Sequence, residues 1–186
     1  MIVAMLRLML LRHAKSSWDE PGIPDRDRPL SARGRRAAAL MAMEIVSRGL
    51  LPDRILCSPA RRTRETLAAL VPHLADETRI AITGELYEPS SGDYLSVIGS
   101  RCAEAKRLMV IGHNPAIQAT AIALADEADP AYPEIAEKLP AGALVVLDFA
   151  AASRAEARPG SGKIALFLRP RDLEKEGGFE TLEMDD

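Results

Sequence analysis

The first apolar run of the chain, Met5 to Leu11, is interrupted only by Arg7 and is followed at once by Arg12 and His13. Short continuous apolar runs bounded by polar residues fit strands buried on both faces. The pattern predicts a strand over Val3–Leu11, and further strands at Arg54–Ser58, Arg79–Thr83 and Leu108–Gly112. Two last strands are expected at Ala143–Phe149 and Lys163–Leu168, joined across Pro159-Gly160 as an antiparallel pair. Between the strands, apolar positions recur at helical spacing. Ala37, Leu40, Met41 and Ile45 give a stripe for a helix from Ser31 to Arg48, with Ser31 as N-cap and Gly49 ending it. Ser58-Pro59 and Asn114-Pro115 each read as an N-cap followed by proline at the first helical position, opening helices to about Leu70 and Leu124. A fourth helix is expected over Asp93–Ala105 and a short one near Ile135. Lys15–Arg28 is polar and rich in Asp, Pro and Arg, so it is a loop.

Strand alternating with helix predicts one α/β domain, a three-layer sandwich with a mostly parallel central sheet and helices on both faces. At 186 residues and 47% hydrophobic the chain is long enough for one real core. The net charge of −3 argues against a nucleic-acid binder by bulk electrostatics. That charge is uneven. Asp172 to Asp186 holds seven acids and one lysine, so residues 1–171 are net positive. We expect a domain over 1–171 and an acidic tail over 172–186, loosely ordered from Pro170 onward. Cys57 and Cys102 make no disulfide framework, and no Cys/His spacing suggests a metal. No run reaches 18 apolar residues and the N-terminus lacks a convincing leader, so no membrane partner is expected and the cytoplasm is the default location.

Three strand ends carry similar chemistry. The first ends in Arg12-His13, the second runs into a helix bearing Arg61, Arg62 and Arg64, and the fourth ends in His113. In a parallel sheet these ends share one edge, where ligands collect. Two imidazoles, guanidiniums and helix N-termini there suit a phosphate.

The segments RHAKSSWD (Arg12 to Asp19), DRPLSARG (Asp27 to Gly34), SPARRTRET (Ser58 to Thr66) and VIGHNP (Val110 to Pro115) resemble, in order and spacing, the motifs of the histidine phosphatase superfamily. With the closing LRPRDL (Leu168 to Leu173), the likeness covers about residues 5–173 and is greatest to SixA-type phosphohistidine phosphatases. It implies a phosphoglycerate-mutase-like fold and a phosphatase without cofactor or metal. His13 would be the nucleophile. Arg12 and Arg62 would hold the phosphoryl oxygens, with His113 as the second pocket histidine. Ser16 and Asn114 would contact substrate. Glu85 is placed as a proton donor, with Glu88 beside it as the second candidate. The implied partner is a phosphohistidine protein. The alternatives are a small phosphate ester, or phosphate binding without turnover. Ala14 stands where the family carries glycine, which raises the question of the backbone geometry after His13. His73 and Trp18 are expected to be structural or rim residues.

Overall fold

The computed structural model describes residues 5–19, 21–89, 92–101, 105–150 and 158–176. Six strands form one sheet: β1 (Met5–Arg12), β2 (Arg54–Cys57), β3 (Arg79–Ile82), β4 (Arg107–Gly112), β5 (Leu144–Ala150) and β6 (Lys163–Leu168). Their order across the sheet is β3-β2-β4-β1-β5-β6. The first four run parallel, and β5 and β6 are antiparallel to their neighbours.

Period-two alternation sorts the side chains of each central strand into two cores. Leu6, Leu8 and Leu10 of β1, Leu108 and Val110 of β4, and Val145 and Leu147 of β5 face one side. Met9, Leu11, Met109, Ile111, Leu144 and Val146 face the other. The first core is closed by α3 (Leu95–Arg101), α4 (Ala116–Leu124) and α5 (Tyr132–Glu137), which contribute Val97, Ile98, Ile117, Ala121, Leu124 and Ile135. The second is closed by α1 (Ala32–Ser47) and α2 (Arg61–Leu70) through Met41, Ile45, Leu67 and Leu70. The result is the expected three-layer α/β sandwich, because strands apolar on both faces must be covered on both.

Ser31 caps α1 as expected, its Oγ accepting from Gly34 N at 3.0 Å. Gly49 takes φ +64° just past the helix end, the left-handed position that suits glycine. Two other caps differ from expectation. α2 begins at Arg61 with Ala60 as its N-cap, and α4 begins at Ala116 after a cis Asn114–Pro115 peptide. Ser58 and Asn114 therefore do not cap helices, and their side chains go to the candidate site instead. The carboxyl end of the chain also differs. Pro170–Glu176 form helix α6, where the sequence suggested that the fold was ending. Leu173 packs on the second core, and Asp172 accepts from Arg169 N and Nε. Cys102 and the segment 177–186 lie outside the described residues. Among those described, no helix is long and apolar enough to cross a membrane.

Candidate active site

Arg12 and His13 leave β1 at the carboxyl edge of the parallel strands, beside the end of β4. Their backbone is pinned on both sides. Arg12 N donates to Ala143 O, His13 N to Gly112 O, and Gly142 N to His13 O. The next residue is held as firmly, since Ala14 N donates to Thr66 Oγ1 at 3.1 Å. Ala14 is fully buried against Leu30 and Ala38, and no residue other than glycine has positive φ among those described. The chain after His13 thus takes a backbone open to any L-residue, and the methyl of Ala14 fills core space.

The ring of His13 lies 5.1 Å from that of His113, centroid to centroid. His13 Nδ1 lies 2.7 Å from Ala14 O. A carbonyl oxygen only accepts, so Nδ1 carries the proton, and Nε2 of the neutral ring is left with its lone pair. Burial lowers the His13 pKa to about 4. The Ala14 carbonyl works against that shift, and the charges of Arg62 and Arg12 add to it. Burial, more than the arginines, keeps this ring neutral.

His113 is held through its backbone and its ring. His113 N donates to Tyr94 Oη at 2.9 Å, and Nε2 lies 2.7 Å from Ser58 Oγ. The edge of its ring meets Tyr87 at 5.6 Å. Burial lowers its pKa to about 3, aided by His13 and Arg62.

Arg62, in the first turn of α2, is 7% exposed. It donates to Asp25 twice, Nη1 to the backbone oxygen at 2.5 Å and Nη2 to Oδ2 at 2.9 Å. Thr66 ties this helix to the nucleophile loop by accepting from Ala14 N and donating to Arg62 O. Arg12 Nη1 and Asn114 Nδ2 share the Leu139 carbonyl, at 2.7 and 3.2 Å. Three buried polar atoms have no partner among the described residues: Arg12 Nε, His113 Nδ1 and Asn114 Oδ1. Buried polar atoms are rarely left so in a settled interior. All three belong to residues at the carboxyl edge of the parallel strands.

The rim gathers around Asp25. Its carboxylate accepts from Arg62, from Arg28 Nη1 at 3.1 Å and from Tyr87 Oη at 2.9 Å. Arg28 also reaches Ser16 Oγ and Ser17 O, and its guanidinium lies 3.1 Å above the Trp18 ring. Ser16 therefore joins the site through Arg28. Trp18 is 74% exposed and serves as a stacking surface for that arginine. Beyond Arg12 a groove of about 910 Å³ opens, lined by residues of both charges, among them Lys15, Lys138, Arg171, Glu134, Glu137 and Glu174.

The structure brings His13, Arg12, Arg62, His113 and Asn114 together, with Ser16 linked to them only through Arg28 and Asp25. Glu85 stands apart. Its carboxylate accepts from Thr83 Oγ1 and Arg101 Nε, is exposed, and is held below the usual carboxylate range by those two bonds. His73 is exposed in the turn after α2. Asp25, Tyr87, Ser58, Thr66 and Tyr94 were not picked out as site residues from sequence. The one signal for Asp25 was its place in the Asp- and Arg-rich loop after the nucleophile segment.

Arginines, paired imidazoles and a parallel-sheet edge define a phosphate-handling α/β protein. The chain belongs to the histidine phosphatase superfamily (branch 1), whose model matches residues 8–147. It is 35% identical over 164 residues to an uncharacterized protein of Mycobacterium tuberculosis, covering 87% of this chain and all of that one. Among solved structures, a protein of Agrobacterium tumefaciens provisionally named phosphohistidine phosphatase SixA superposes with a TM-score of 0.73 at 32% identity, over 89% of this chain and 98% of that chain. A protein of Nakamurella multipartitia named in the same provisional way gives 0.73 at 30%, over 89% and 96%.

Proposed function

We propose that the protein is a phosphohistidine phosphatase that works through a covalent phosphohistidine on its own His13. The observation that carries this reading is the neutral His13 ring, its Nδ1 proton held by the Ala14 carbonyl and its centroid 5.1 Å from that of His113, with Arg12 and Arg62 close enough for their charges to act on it. Nε2 attacks phosphorus in line with the leaving group. A new N–P bond forms, and the electron pair of the broken bond leaves with the substrate's ring nitrogen. Arg12 and Arg62 bind the equatorial oxygens, where charge is spread in the transition state. For Arg62 this means exchanging part of its bonding to Asp25 for the phosphoryl group. His113, oriented by Ser58 and Tyr94, contributes its ring to the same oxygens. Asn114 sets the Arg12 edge of the pocket through their shared carbonyl. Water then cleaves the His13 phosphoramidate.

A proton donor matters most when an alkoxide leaves. Glu85 is exposed and held ionised by Arg101 and Thr83, which suits no such role. An imidazole leaving group already carries its proton, so the absence of Glu85 from the pocket favours phosphohistidine over sugar or glycerate esters. The groove beyond Arg12, lined by residues of both charges, leaves room for a substrate larger than phosphate, as a protein-borne phosphohistidine requires.

The test is turnover of a phosphohistidine peptide. His13→Ala is expected to abolish phosphate release, while His73→Ala leaves it within about twofold. With labelled peptide, the wild type should carry base-stable, acid-labile label on His13. Similar rates in the two variants, or label elsewhere, would overturn the assignment.

A further inference from the structure

Asp25 is an unexpected occupant of a pocket for an anion. It neutralises part of Arg62 and repels a phosphoryl dianion, so on electrostatic grounds alone it weakens phosphate binding. It is nonetheless firmly held, by Arg62, Arg28 and Tyr87 at 2.9 to 3.1 Å. Its negative charge reaches both pocket histidines, opposing the depression of their pKa values. The carboxylate itself is kept below the usual range by hydrogen bonds from Arg62, Tyr87 and Arg28 against the cost of burial, so it is ionised at neutral pH.

Its position suggests what it serves. His113 and Arg62 are the most recessed groups of the site, 9% and 7% exposed, and His13 beside them is half-buried. In-line displacement from a recessed nucleophile points the leaving group toward solvent. Asp25, bonded to the recessed Arg62 and to Tyr87 while its side chain is 54% exposed, spans from the pocket to that solvent side.

We propose that Asp25 is a specificity-determining residue that selects substrates whose leaving group is a protonated nitrogen heterocycle, using its carboxylate to accept the distal ring N–H of the substrate's phosphohistidine. This rests on the phosphohistidine reading above and deepens it. The step balances without a further proton. The P–N bond of an N-phosphorylated imidazolium breaks, its electron pair returns to the ring nitrogen, and the ring leaves as neutral imidazole still bearing its distal proton. The transition state keeps part of the ring's positive charge, which Asp25 stabilises. An alkoxide or phenolate leaving group develops negative charge at the same place, which Asp25 opposes. A pocket lined with arginine alone would favour both kinds of substrate.

The experiment compares kcat/KM for a phosphohistidine peptide with kcat/KM for 4-nitrophenyl phosphate in wild type, Asp25→Asn and Asp25→Glu. Asp25→Asn is expected to lower the ratio of the two at least tenfold, with phosphohistidine losing far more than the aryl ester. Asp25→Glu, which keeps the charge, should hold the ratio within about threefold of wild type. A carboxylate that merely positions Arg62 would cost both substrates equally, so an unchanged ratio in Asp25→Asn overturns the proposal. The residue opens the short 3-10 turn Asp25–Asp27 with its side chain half-exposed, and a melting curve for each variant checks that the fold is intact. A wild type that hydrolyses the aryl ester but not the peptide would instead sink the phosphohistidine reading itself.

Discussion

Tyr94 shows how much of this site depends on single buried groups outside it. It is fully buried, and its hydroxyl accepts from His113 N while donating to Leu86 O at 2.9 Å. Removing the hydroxyl leaves a buried N–H and a buried C=O without partners, each costing about 1–3 kcal/mol when unsatisfied. Tyr94→Phe is therefore expected to destabilise the protein by about 2 kcal/mol or more. It should also lower kcat for a phosphohistidine peptide, because His113 loses the bond that fixes its backbone. Urea unfolding and steady-state kinetics on the same sample read both effects, and a Phe variant matching wild type in both would contradict this role. At this scale the sequence was informative only in part. Arg12, His13 and His113 stand at strand ends, and their place follows from strand direction alone. Their partners do not. Ser58 lies 55 residues from His113, Asp25 lies 37 from Arg62, and Thr66 lies 52 from Ala14. Such pairings are made by tertiary packing, and a serine before a proline looks in sequence like a helix cap whatever its side chain reaches.

Among the elements, the contact between α1 and the segment leaving the nucleophile sets the rim. Lys15 O accepts from Ser31 N at 2.9 Å, and the backbone of Lys15 lies directly over Gly34. A Cβ placed on Gly34 would sit 2.0 Å from Lys15 O, a backbone atom that cannot turn aside. Gly34→Ala would gain about 1 kcal/mol of helix propensity. Overpacking of about 1–3 kcal/mol should outweigh it. Because Lys15 is two residues from His13, activity is expected to fall by more than the melting temperature implies. Calorimetry alongside kinetics tests this, and a variant as stable and active as wild type would show that the close approach is not needed. The same elements explain why Ser31 was readable as a cap and Asn114 was not. Ser31 satisfies a local helix N–H. The Asn114 amide donates to Gln118 Oε1 and to the distant Leu139 carbonyl. The helix α6 is not legible in sequence for a related reason. Its charged sequence resembles a tail, and only its packing through Leu173 and its ion pairs, such as Arg169 with Asp172, give it a place in the fold.

For the whole molecule, two-sided apolar strands were enough to indicate a covered sheet, but not the insertion of β4 between β2 and β1. That insertion brings His113 beside His13, and it ties stability to pH. His13 is half-buried and His113 buried in the folded state, and desolvation is the main cause lowering their pKa values to about 4 and about 3. In the unfolded chain they titrate near 6.5. Between about pH 6.5 and 4 the unfolded chain therefore binds protons that the folded chain refuses, and stability falls as pH falls. The slope is at most about 1.4 kcal/mol per pH unit for each histidine. Asp25 and Asp172, whose pKa values are lowered in the folded state, contribute in the same direction only in the carboxylate range, below about pH 4. Loss of stability between pH 6.5 and 4.5 is thus the signature of the histidine pair. Urea midpoints of the wild type should drop steadily across that window, while a His13→Asn, His113→Asn double variant should show a much flatter profile. Parallel profiles would place the acid sensitivity elsewhere and would argue that the two rings are more freely solvated than their 5.1 Å approach in the buried pocket implies.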